Sequence, residues 1–226
     1  MSHQQNITRI KATSNALGAL AKDVVFVGGA TVSLYTDRPA DEVRPTDDVD
    51  VLIELTNYNE YSLLDEKLRS MGFENDIESA VICRYRIQGI VVDIMPTNEK
   101  ILGFSNRWYP EAFKNSIQKD LLNDCTVNIF DAAHFIATKF EAFKGRGKSD
   151  GRTSSDFEDI VYILNNRTVI WADIFNAPPE LQSYLKDEFR RIAASDLLDE
   201  WISCHLSHSE QARVRGIVGN IHLFIG

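Results

Sequence analysis

The chain has 226 residues, of which 44% are hydrophobic and 25% charged, and its formal net charge is −9. This is the composition of an ordinary globular protein with room for one domain or two closely packed ones. No apolar run approaches the ~18 residues of a membrane helix, and the first residues lack the pattern of a secretory signal. We therefore expect a cytoplasmic protein without membrane attachment. The negative charge disfavours broad, sequence-independent nucleic-acid binding, which depends on neutralising phosphates.

The first 130 residues alternate between helical and strand patterns. A helix is predicted over 7–22, a short β-branched strand over 23–27 and, after Gly28 and Gly29, a short helix over 30–36. The following elements are a polar loop over 36–45, a strand over 47–55, a helix over 58–72 ending at Gly72, a hairpin over 80–97 turning near Gln88 and Gly89, a segment of mostly helical composition over 99–123, and a strand over 125–130.

Helical patterns dominate the rest of the chain. Asp131 is predicted to cap a helix through Phe143, and Ser154 or Ser155 is predicted to cap a second helix over 154–164. The pattern stays helical to about residue 215. We therefore predict an α+β protein, with a mixed β-sheet core and flanking helices over 1–130 and a helical C-terminal domain over 131–226.

Two aspartates interrupt the apolar strand predicted over 47–55. Residues two apart in a strand share a face and lie roughly 6.5 Å apart, so Asp48 and Asp50 point the same way. Two like charges 4 Å apart repel by about 4 kcal/mol at an effective dielectric near 20. A divalent cation removes that repulsion, and carboxylates suit Mg²⁺ or Mn²⁺. The alternative is an edge strand whose aspartates simply face solvent.

A third acid lies inside a later apolar strand. Asp93 belongs to the second strand of the predicted hairpin, where a lone carboxylate is costly to bury. If the hairpin lies beside the strand over 47–55, Asp93 joins Asp48 and Asp50. Three carboxylates around two metals, spaced about 3.5–4 Å apart, are a known arrangement for in-line phosphoryl chemistry.

Gly28 and Gly29 follow a strand and open a helix. Glycines at that point let backbone N–H groups approach a phosphate at the positive end of the helix. Thr31 would add a hydroxyl, either to a nucleotide phosphate or as a cap for the helix. Paired glycines also occur in many ordinary turns, so the pair gains meaning only together with the aspartates.

One segment runs against the acidic composition. Residues 139–152 carry five basic side chains against Glu141 and Asp150, a local charge of +3, and the remainder of the chain is therefore −12. A local basic patch on an acidic protein suits a small polyanion better than a long duplex. Lys139 and Arg146, about two helical turns apart, would each contact phosphate or belong to a solvated helix end.

Taken together, these features resemble the DNA polymerase β-like nucleotidyltransferase superfamily. Its pattern is a hydrophobic residue followed by Gly-Gly or Gly-Ser, then Asp-x-Asp, then a third acid. Here the pattern falls on Gly28 and Gly29, on Asp48 and Asp50, and on Asp93. The resemblance implies a catalytic core whose three aspartates hold metal and act in catalysis, and whose glycines bind the nucleotide.

The second half narrows the resemblance to the AbiEii/AbiGii-type nucleotidyltransferases, known as toxins of toxin–antitoxin and phage-defence systems. The segment from Lys139 to Arg146 fits KxxAxxxR, and Asp156 and Asp159 supply DxxD. The family's fourth motif reads RxKDxxD. Here Arg146 and Lys148 are separated from the aspartate pair by extra residues, so the motif is stretched.

The resemblance also implies roles for the residues of the second half. Lys139, Arg146 and Lys148 would bind the nucleotide triphosphate, and Lys139 would also act in catalysis by stabilising the leaving group. Asp156 and Asp159 would orient the basic side chains or contact the nucleotide. The alternative for these two aspartates is a helix cap and a surface acid.

The function implied is transfer of a nucleoside monophosphate from an NTP to a hydroxyl acceptor, with Mg²⁺ or Mn²⁺ as cofactor. The acceptor stays open between tRNA or another RNA, a protein hydroxyl and a small molecule, and a toxin role would bring a cognate antitoxin protein. A metal-dependent phosphodiesterase or nuclease would use the same aspartates but gives the glycines and Lys139 no task. A non-catalytic interaction module that keeps only the fold is the third alternative.

Overall fold

The computed structural model describes residues 2–38, 43–122, 124–146 and 150–226. The chain divides into two compact units. We call Met1–Leu34 with Glu42–Asp131 the sheet unit, and Tyr35–Asp41 with Ala132–Gly226 the helical unit. The mixture of helices and a mixed sheet confirms the predicted α+β class. Among the described residues, no helix has the length and apolar character needed to cross a bilayer.

The sheet unit contains four α-helices and seven strands within the described residues. In chain order they are α1 (Ser2–Leu17), β1 (Val24–Val27), β2 (Asp48–Ile53), α2 (Tyr58–Ser70), β3 (Glu74–Asn75), β4 (Arg84–Ile87), β5 (Ile90–Pro96), α3 (Glu99–Leu102), α4 (Tyr109–Lys114), β6 (Ile117–Asp120) and β7 (Thr126–Ile129). Short 3₁₀ segments cover Gly18–Lys22, Gly29–Tyr35 and Ile77–Ser79.

The strands form one mixed sheet in the order β3-β4-β5-β2-β1-β7-β6. Strand β2 pairs antiparallel with β1 and parallel with β5, so the β4–β5 hairpin lies beside β2 as expected. The hairpin turns at Gln88 and Gly89, whose φ values of 50° and 79° are left-handed. Two left-handed residues in a two-residue loop match the twist of the flanking strands.

Several elements of the sheet unit differ from prediction, including the short helix expected over 30–36, which is 3₁₀ over Gly29–Tyr35, and the helix expected over 58–72, which ends at Ser70. The N-terminal helix begins at Ser2 and ends at Leu17, after which Gly18–Lys22 continues as 3₁₀. The expectation of a mostly helical segment over 99–123 is wrong in part, because Ile117–Asp120 forms β6. This strand pairs antiparallel with β7 at the edge of the sheet. Hydrogen bonding to a neighbouring strand therefore outweighs the local composition there.

The helical unit is built from α5 (Ala132–Arg146), α6 (Ser155–Asn166), α7 (Ile170–Phe175), α8 (Pro179–Ala193), α9 (Leu198–Ser203) and α10 (Val214–Ile225), with a 3₁₀ segment over His208–Arg213. Helix α5 starts directly after Asp131 and extends beyond Phe143, and α10 continues the helical pattern past residue 215. The Ser154 hydroxyl accepts a hydrogen bond from the Phe157 N–H at 3.3 Å, which confirms Ser154 as the cap of α6.

An aromatic cluster forms part of the core of the helical unit. The ring of Phe157 lies 5.3 Å from that of Phe143 and 5.7 Å from that of Trp201, measured between centroids. Phe157 is 1% exposed and Phe143 is 0% exposed. Tilted and edge-on pairs at these separations add to the free energy of burial.

We expect Phe157→Ala to lower the free energy of unfolding by about 3–5 kcal/mol, because it removes a buried ring and leaves a cavity among the remaining aromatic side chains. Urea unfolding followed by circular dichroism measures the loss. Phe175→Ala in the same unit is the matched control, since Phe175 is 58% exposed. Equal losses in the two variants would contradict this description of the core.

Candidate active site

Side chains alternate between the two faces of the sheet along β2, so Asp48 and Asp50 point to the same face. Val49 and Val51 are 0% exposed, whereas Asp48 and Asp50 are only half-buried. In the parallel pairing of β2 with β5, Asp50 lies beside Asp93. Carboxylate oxygens of the three aspartates all lie within 4.8 Å of one another. The structure therefore brings together the three acids that the sequence pattern singled out.

The chemistry of this cluster fits a hard divalent cation. Within the described residues, these aspartates are the one group of three or more His, Cys, Asp or Glu side chains with ligand atoms near enough to share an ion. Burial, with the charge of Asp93, raises the pKa of the neighbouring Cys83 thiol to about 12. The ligand atoms that the cluster offers are carboxylate oxygens, as Mg²⁺ and Mn²⁺ prefer.

A residue that sequence reasoning missed supplies positive charge to the cluster. Arg84, on β4, donates from Nε and Nη2 to the two Asp93 oxygens, both at 2.8 Å, and from Nη2 to Asp48 Oδ2 at 3.0 Å. The hydrogen bonds to Asp93 raise the pKa of Arg84 further above its already high value. The Arg84 guanidinium is therefore a permanent positive charge that neutralises the same carboxylates a metal ion would neutralise.

The pairing of Arg84 with Asp93 could have been predicted from the hairpin. A two-residue turn at Gln88 and Gly89 pairs Ile87 with Ile90, and counting outward along the antiparallel ladder pairs Arg84 with Asp93. Directly opposed residues of antiparallel strands lie close enough for an ion pair. Cross-strand counting from the turn was therefore the signal that could have identified this residue.

The two glycines make room for side chains of the protein itself. Gly28 has a left-handed φ of 73°, and a Cβ added there would overlap the carboxylate of Asp50. A Cβ on Gly29 would overlap the guanidinium of Arg44 and contact the Thr46 methyl group. The groups that lie against the two glycines are an aspartate and an arginine of this chain, and the approach of a phosphate to this turn stays a prediction.

Arg44 is a second cation that the sequence did not single out. The loop that carries it is attached to α1, where Arg9 donates to the Thr46 carbonyl oxygen and the Thr46 hydroxyl donates to Asn6 Oδ1 at 3.2 Å. Arg44 itself is half-buried beside Gly29. The long connection between the glycines and the aspartates therefore positions a guanidinium at the glycine turn.

Thr31 makes a hydrogen bond inside the turn that follows Gly28, and its donating hydroxyl is not a helix N-cap, which would accept from an N–H group. Its hydroxyl donates to the Gly28 carbonyl oxygen at 2.9 Å, and the residue is 0% exposed. A hydroxyl that is buried and already donating closes the turn after Gly28. The predicted contact of this side chain with a nucleotide phosphate is contradicted by its burial.

In the helical unit, the residues assigned to the two later motifs form one ion-pair network. Lys139 Nζ lies 3.2 Å from Asp156 Oδ1 and 2.7 Å from Asp159 Oδ2. Arg146 donates from Nε and Nη2 to the two Asp156 oxygens at 2.8 and 2.9 Å. The two aspartates therefore orient the two basic side chains, and the alternative of a surface acid is wrong for both, since each is 1% exposed.

The two basic residues differ in how much of them reaches solvent. The Lys139 side chain is 7% exposed, so it does not belong to a solvated helix end, whereas the Arg146 side chain is 71% exposed. Burial by itself would raise the pKa of Asp156, but the Arg146 hydrogen bonds and the charge of Lys139 outweigh it and lower that pKa. Lys148, predicted to bind nucleotide, lies outside the described residues.

The expectation of a basic patch over 139–152 is corrected by the ion pairs that its residues make. Besides Lys139 and Arg146, Lys144 pairs with Glu141 at 3.0 Å and with Glu188 at 2.6 Å. Arg152 pairs with Asp150 at 2.7 Å and with Glu200 at 3.4 Å. Every described basic side chain of the segment thus has an acidic partner, and its positive charge is neutralised locally.

No family model matches the chain, and no curated protein matches it either. The residues and their geometry therefore carry the functional argument.

We expect Arg84→Gln to lower the free energy of unfolding by roughly 1–3 kcal/mol in chelator, because it removes charge-assisted hydrogen bonds from crowded carboxylates. Mn²⁺ should then raise the melting temperature of the variant more than that of the wild type, since the cation replaces the lost guanidinium. Thermal unfolding with and without Mn²⁺ measures both effects.

Arg86→Gln is the matched control for Arg84→Gln. Arg86 lies on the same strand, and its ion-pair partner is Asp76, at 2.9 Å, which is not one of the three aspartates. Its loss of stability should not be restored by Mn²⁺. An equal response of both variants to Mn²⁺ would show that Arg84 does not serve the acid cluster.

We expect Asp156→Asn to lower the free energy of unfolding by about 3–5 kcal/mol at pH 7, because it removes one partner of a buried ion-pair network. The folded pKa of Asp156 lies below its ordinary value of 3.8, so the wild-type carboxylate stabilises the fold fully above that value. This advantage disappears as the pH falls through the lowered folded pKa.

Urea midpoints of wild type and Asp156→Asn between pH 7 and pH 2 test this dependence. The difference between the two proteins should stay constant to about pH 5 and then narrow. Asp150→Asn removes an exposed carboxylate that also pairs with an arginine, and it should cost little at any pH. A pH-independent gap for Asp156→Asn would rule out ionisation of Asp156 as its cause.

Proposed function

We propose that the protein is a metal-dependent nucleotidyltransferase that moves a nucleoside monophosphate from an NTP to a hydroxyl acceptor. The observation that carries the proposal is the cluster of Asp48, Asp50 and Asp93, whose oxygens lie within 4.8 Å of one another. The cluster also lies beside the Gly28 turn, because the Asp50 carboxylate is next to Gly28. A glycine turn beside the metal-binding acids is a second feature expected of a nucleotidyltransferase.

Asp48, Asp50 and Asp93 are the residues that would hold Mg²⁺ or Mn²⁺. The bound ion would supply neutralisation of phosphate charge and polarisation of the phosphorus–oxygen bonds. Arg84 already neutralises two of these aspartates. Before an ion binds, Arg84 would offset the repulsion among the three carboxylates. After an ion binds, Arg84 would pair with a carboxylate oxygen that does not coordinate the ion.

The chemical step follows from this assignment. The oxygen of the acceptor hydroxyl attacks the α-phosphorus of the NTP, the bond from that phosphorus to the bridging oxygen breaks, and pyrophosphate leaves. Asp93 would orient the acceptor hydroxyl and receive its proton. Arg44, beside Gly29, would stabilise negative charge on the phosphates at the glycine turn.

The resemblance extends the proposal to Lys139 and Arg146, which would stabilise the charge that builds on the leaving pyrophosphate. Of the two, Arg146 has the larger solvent-accessible area, and Asp156 fixes the plane of its guanidinium. Lys139, buried between Asp156 and Asp159, supports the network from within. The corrected charge of segment 139–152 removes one argument for an RNA acceptor. A toxin role and a cognate antitoxin stay predictions of the resemblance.

We expect Asp48→Asn and Asp50→Asn each to lower transfer by at least about 10²-fold, since each removes a charged ligand of the ion. The assay incubates the pure protein with each α-labelled NTP, Mg²⁺ and either an RNA or a protein extract, and follows label on the macromolecules. Asp47→Asn is the matched control, because Asp47 is an exposed neighbour.

The outcomes separate the proposal from its alternatives. Label transfer by wild type and Asp47→Asn alone supports nucleotidyl transfer, and it also selects the nucleotide and the acceptor class. Cleavage of RNA without added NTP, lost in Asp48→Asn, would instead establish a phosphodiesterase. Full transfer by both Asp48→Asn and Asp50→Asn would remove these aspartates from the mechanism.

A further inference from the structure

The helical unit contains an arginine-lined cavity that the proposed transferase chemistry does not use. Its volume is about 230 Å³, and Arg38, Arg167 and Arg213 line it. Among the residues that the structure describes, no aspartate or glutamate lines the cavity. A concave surface that presents several guanidinium groups and no carboxylate is suited to an anion.

Two of these arginines are oriented through the same asparagine. Arg38 Nη1 donates to the Asn165 carbonyl oxygen at 3.2 Å, and Arg213 Nη1 donates to Asn165 Oδ1 at 3.2 Å and to Glu210 Oε1 at 3.3 Å. A guanidinium has five N–H donors. Within the described residues, these bonds use one donor of Arg38 and two of Arg213, so the groups are held in place with donors to spare for a ligand.

The third arginine is held in the same way. Arg167 donates from Nη1 to the Tyr35 carbonyl oxygen at 3.0 Å and from Nε to Asp173. The next residue, Thr168, also lines the cavity, and its N–H and hydroxyl donate to Asp37 at 3.0 and 2.9 Å. Because both residues are tied to the 35–38 segment or to α7, little further ordering is needed when an anion binds.

Apolar residues complete the wall of the cavity. Leu164, Ile170 and Ile217 line it and are 7%, 1% and 5% exposed. Partly exposed Trp171 lines it as well. Apolar surroundings lower the local dielectric and so strengthen the attraction between a guanidinium and an anion. The planar fork of arginine also matches the oxygens of a phosphate in a bidentate manner.

We propose that this cavity binds a small phosphomonoester, with Arg38, Arg167 and Arg213 as its ligands. The volume of about 230 Å³ lies below the roughly 300–1,000 Å³ of typical pockets for larger ligands, so the cavity would hold the phosphate group while the organic part of the ester extends outside it. Such a phosphate carries about −1.5 to −2 charges at pH 7. Arg38 would supply a positive charge, and Arg167 and Arg213, which also pair with Asp173 and Glu210, would supply further N–H donors.

A long polyanion is a weaker fit to the same surface. Asp37, Asp173 and Glu210 lie around the cavity and pair with its lining residues, so the positive potential is local. The chain as a whole has a formal net charge of −9. An extended phosphate backbone would meet this negative surface on leaving the cavity, whereas a compact phosphomonoester would not.

Trp171 makes the proposal directly measurable. The other two tryptophans, Trp108 and Trp201, are 2% and 8% exposed, whereas Trp171 lines the cavity. The full chain, in EDTA, is titrated with inorganic phosphate and with adenosine monophosphate, and fluorescence and heat are recorded. We expect saturable binding of one ligand per chain, and adenosine, which lacks the phosphate, should not bind.

Variants locate the binding to the cavity. Arg38→Gln and Arg213→Gln should each weaken the affinity for adenosine monophosphate at least tenfold. The matched control is Arg190→Gln, because Arg190 is an exposed arginine of the same unit that pairs with Asp187 and does not line the cavity; its affinity should be unchanged. Circular dichroism verifies that each variant is folded.

The remaining outcomes would overturn the proposal. Absence of binding by the wild type would exclude the cavity as a phosphate site. The same would follow if Arg38→Gln and Arg213→Gln bound as tightly as the control Arg190→Gln. A short RNA without terminal phosphates that competes as well as adenosine monophosphate would identify a nucleic-acid backbone as the occupant instead. The double variant Asp48→Asn/Asp50→Asn should bind normally in EDTA, so this test stands apart from that of the proposed transferase.

Discussion

Three carboxylates on adjacent strands repel one another, and the sheet unit depends on a cation to hold them together. The parallel register of β2 and β5 sets Asp50 beside Asp93, so the repulsion is a consequence of strand pairing. Arg84 offsets it from the next strand by donating to both Asp93 and Asp48. The same oxygens are suitable ligands for a divalent ion. Stability and the proposed metal binding in this unit would therefore be coupled, because a guanidinium and a metal ion would neutralise the same acids.

The glycine turn is part of the same electrostatic arrangement. Gly28 leaves space for the Asp50 carboxylate, and Gly29 leaves space for the Arg44 guanidinium. A side chain at either position would push a charged group out of place. The two glycines thus leave the space in which one acid and one base lie, and in the proposed reaction they would act through these charges as well as through the backbone.

In the helical unit, ion pairing changes which basic residues carry charge that is available to a ligand. The basic side chains described in segment 139–152 all find acidic partners, so a cluster of basic residues in the sequence becomes a neutral network in the fold. Arg38, Arg167 and Arg213 are far apart in the sequence, and yet they line one cavity. Arginines that are far apart in the sequence thus come together at one cavity, whereas basic residues that are close in the sequence pair with acids.

The sequence by itself determined the features that depend on neighbouring residues. Alternation along β2 predicted the shared face of Asp48 and Asp50, the Gln88-Gly89 turn predicted the hairpin, and Ser154 was recognisable as a helix cap, because each follows from local backbone geometry. Only the tertiary structure decided the strand over Ile117–Asp120, the position of Arg44 over Gly29 and the neutralisation of Arg152 by Glu200. Arg152 and Glu200 are 48 residues apart in the chain, and the strand over Ile117–Asp120 is paired with β7, the next strand. A charge or a backbone hydrogen bond depends on distance in space, which the local sequence pattern does not give.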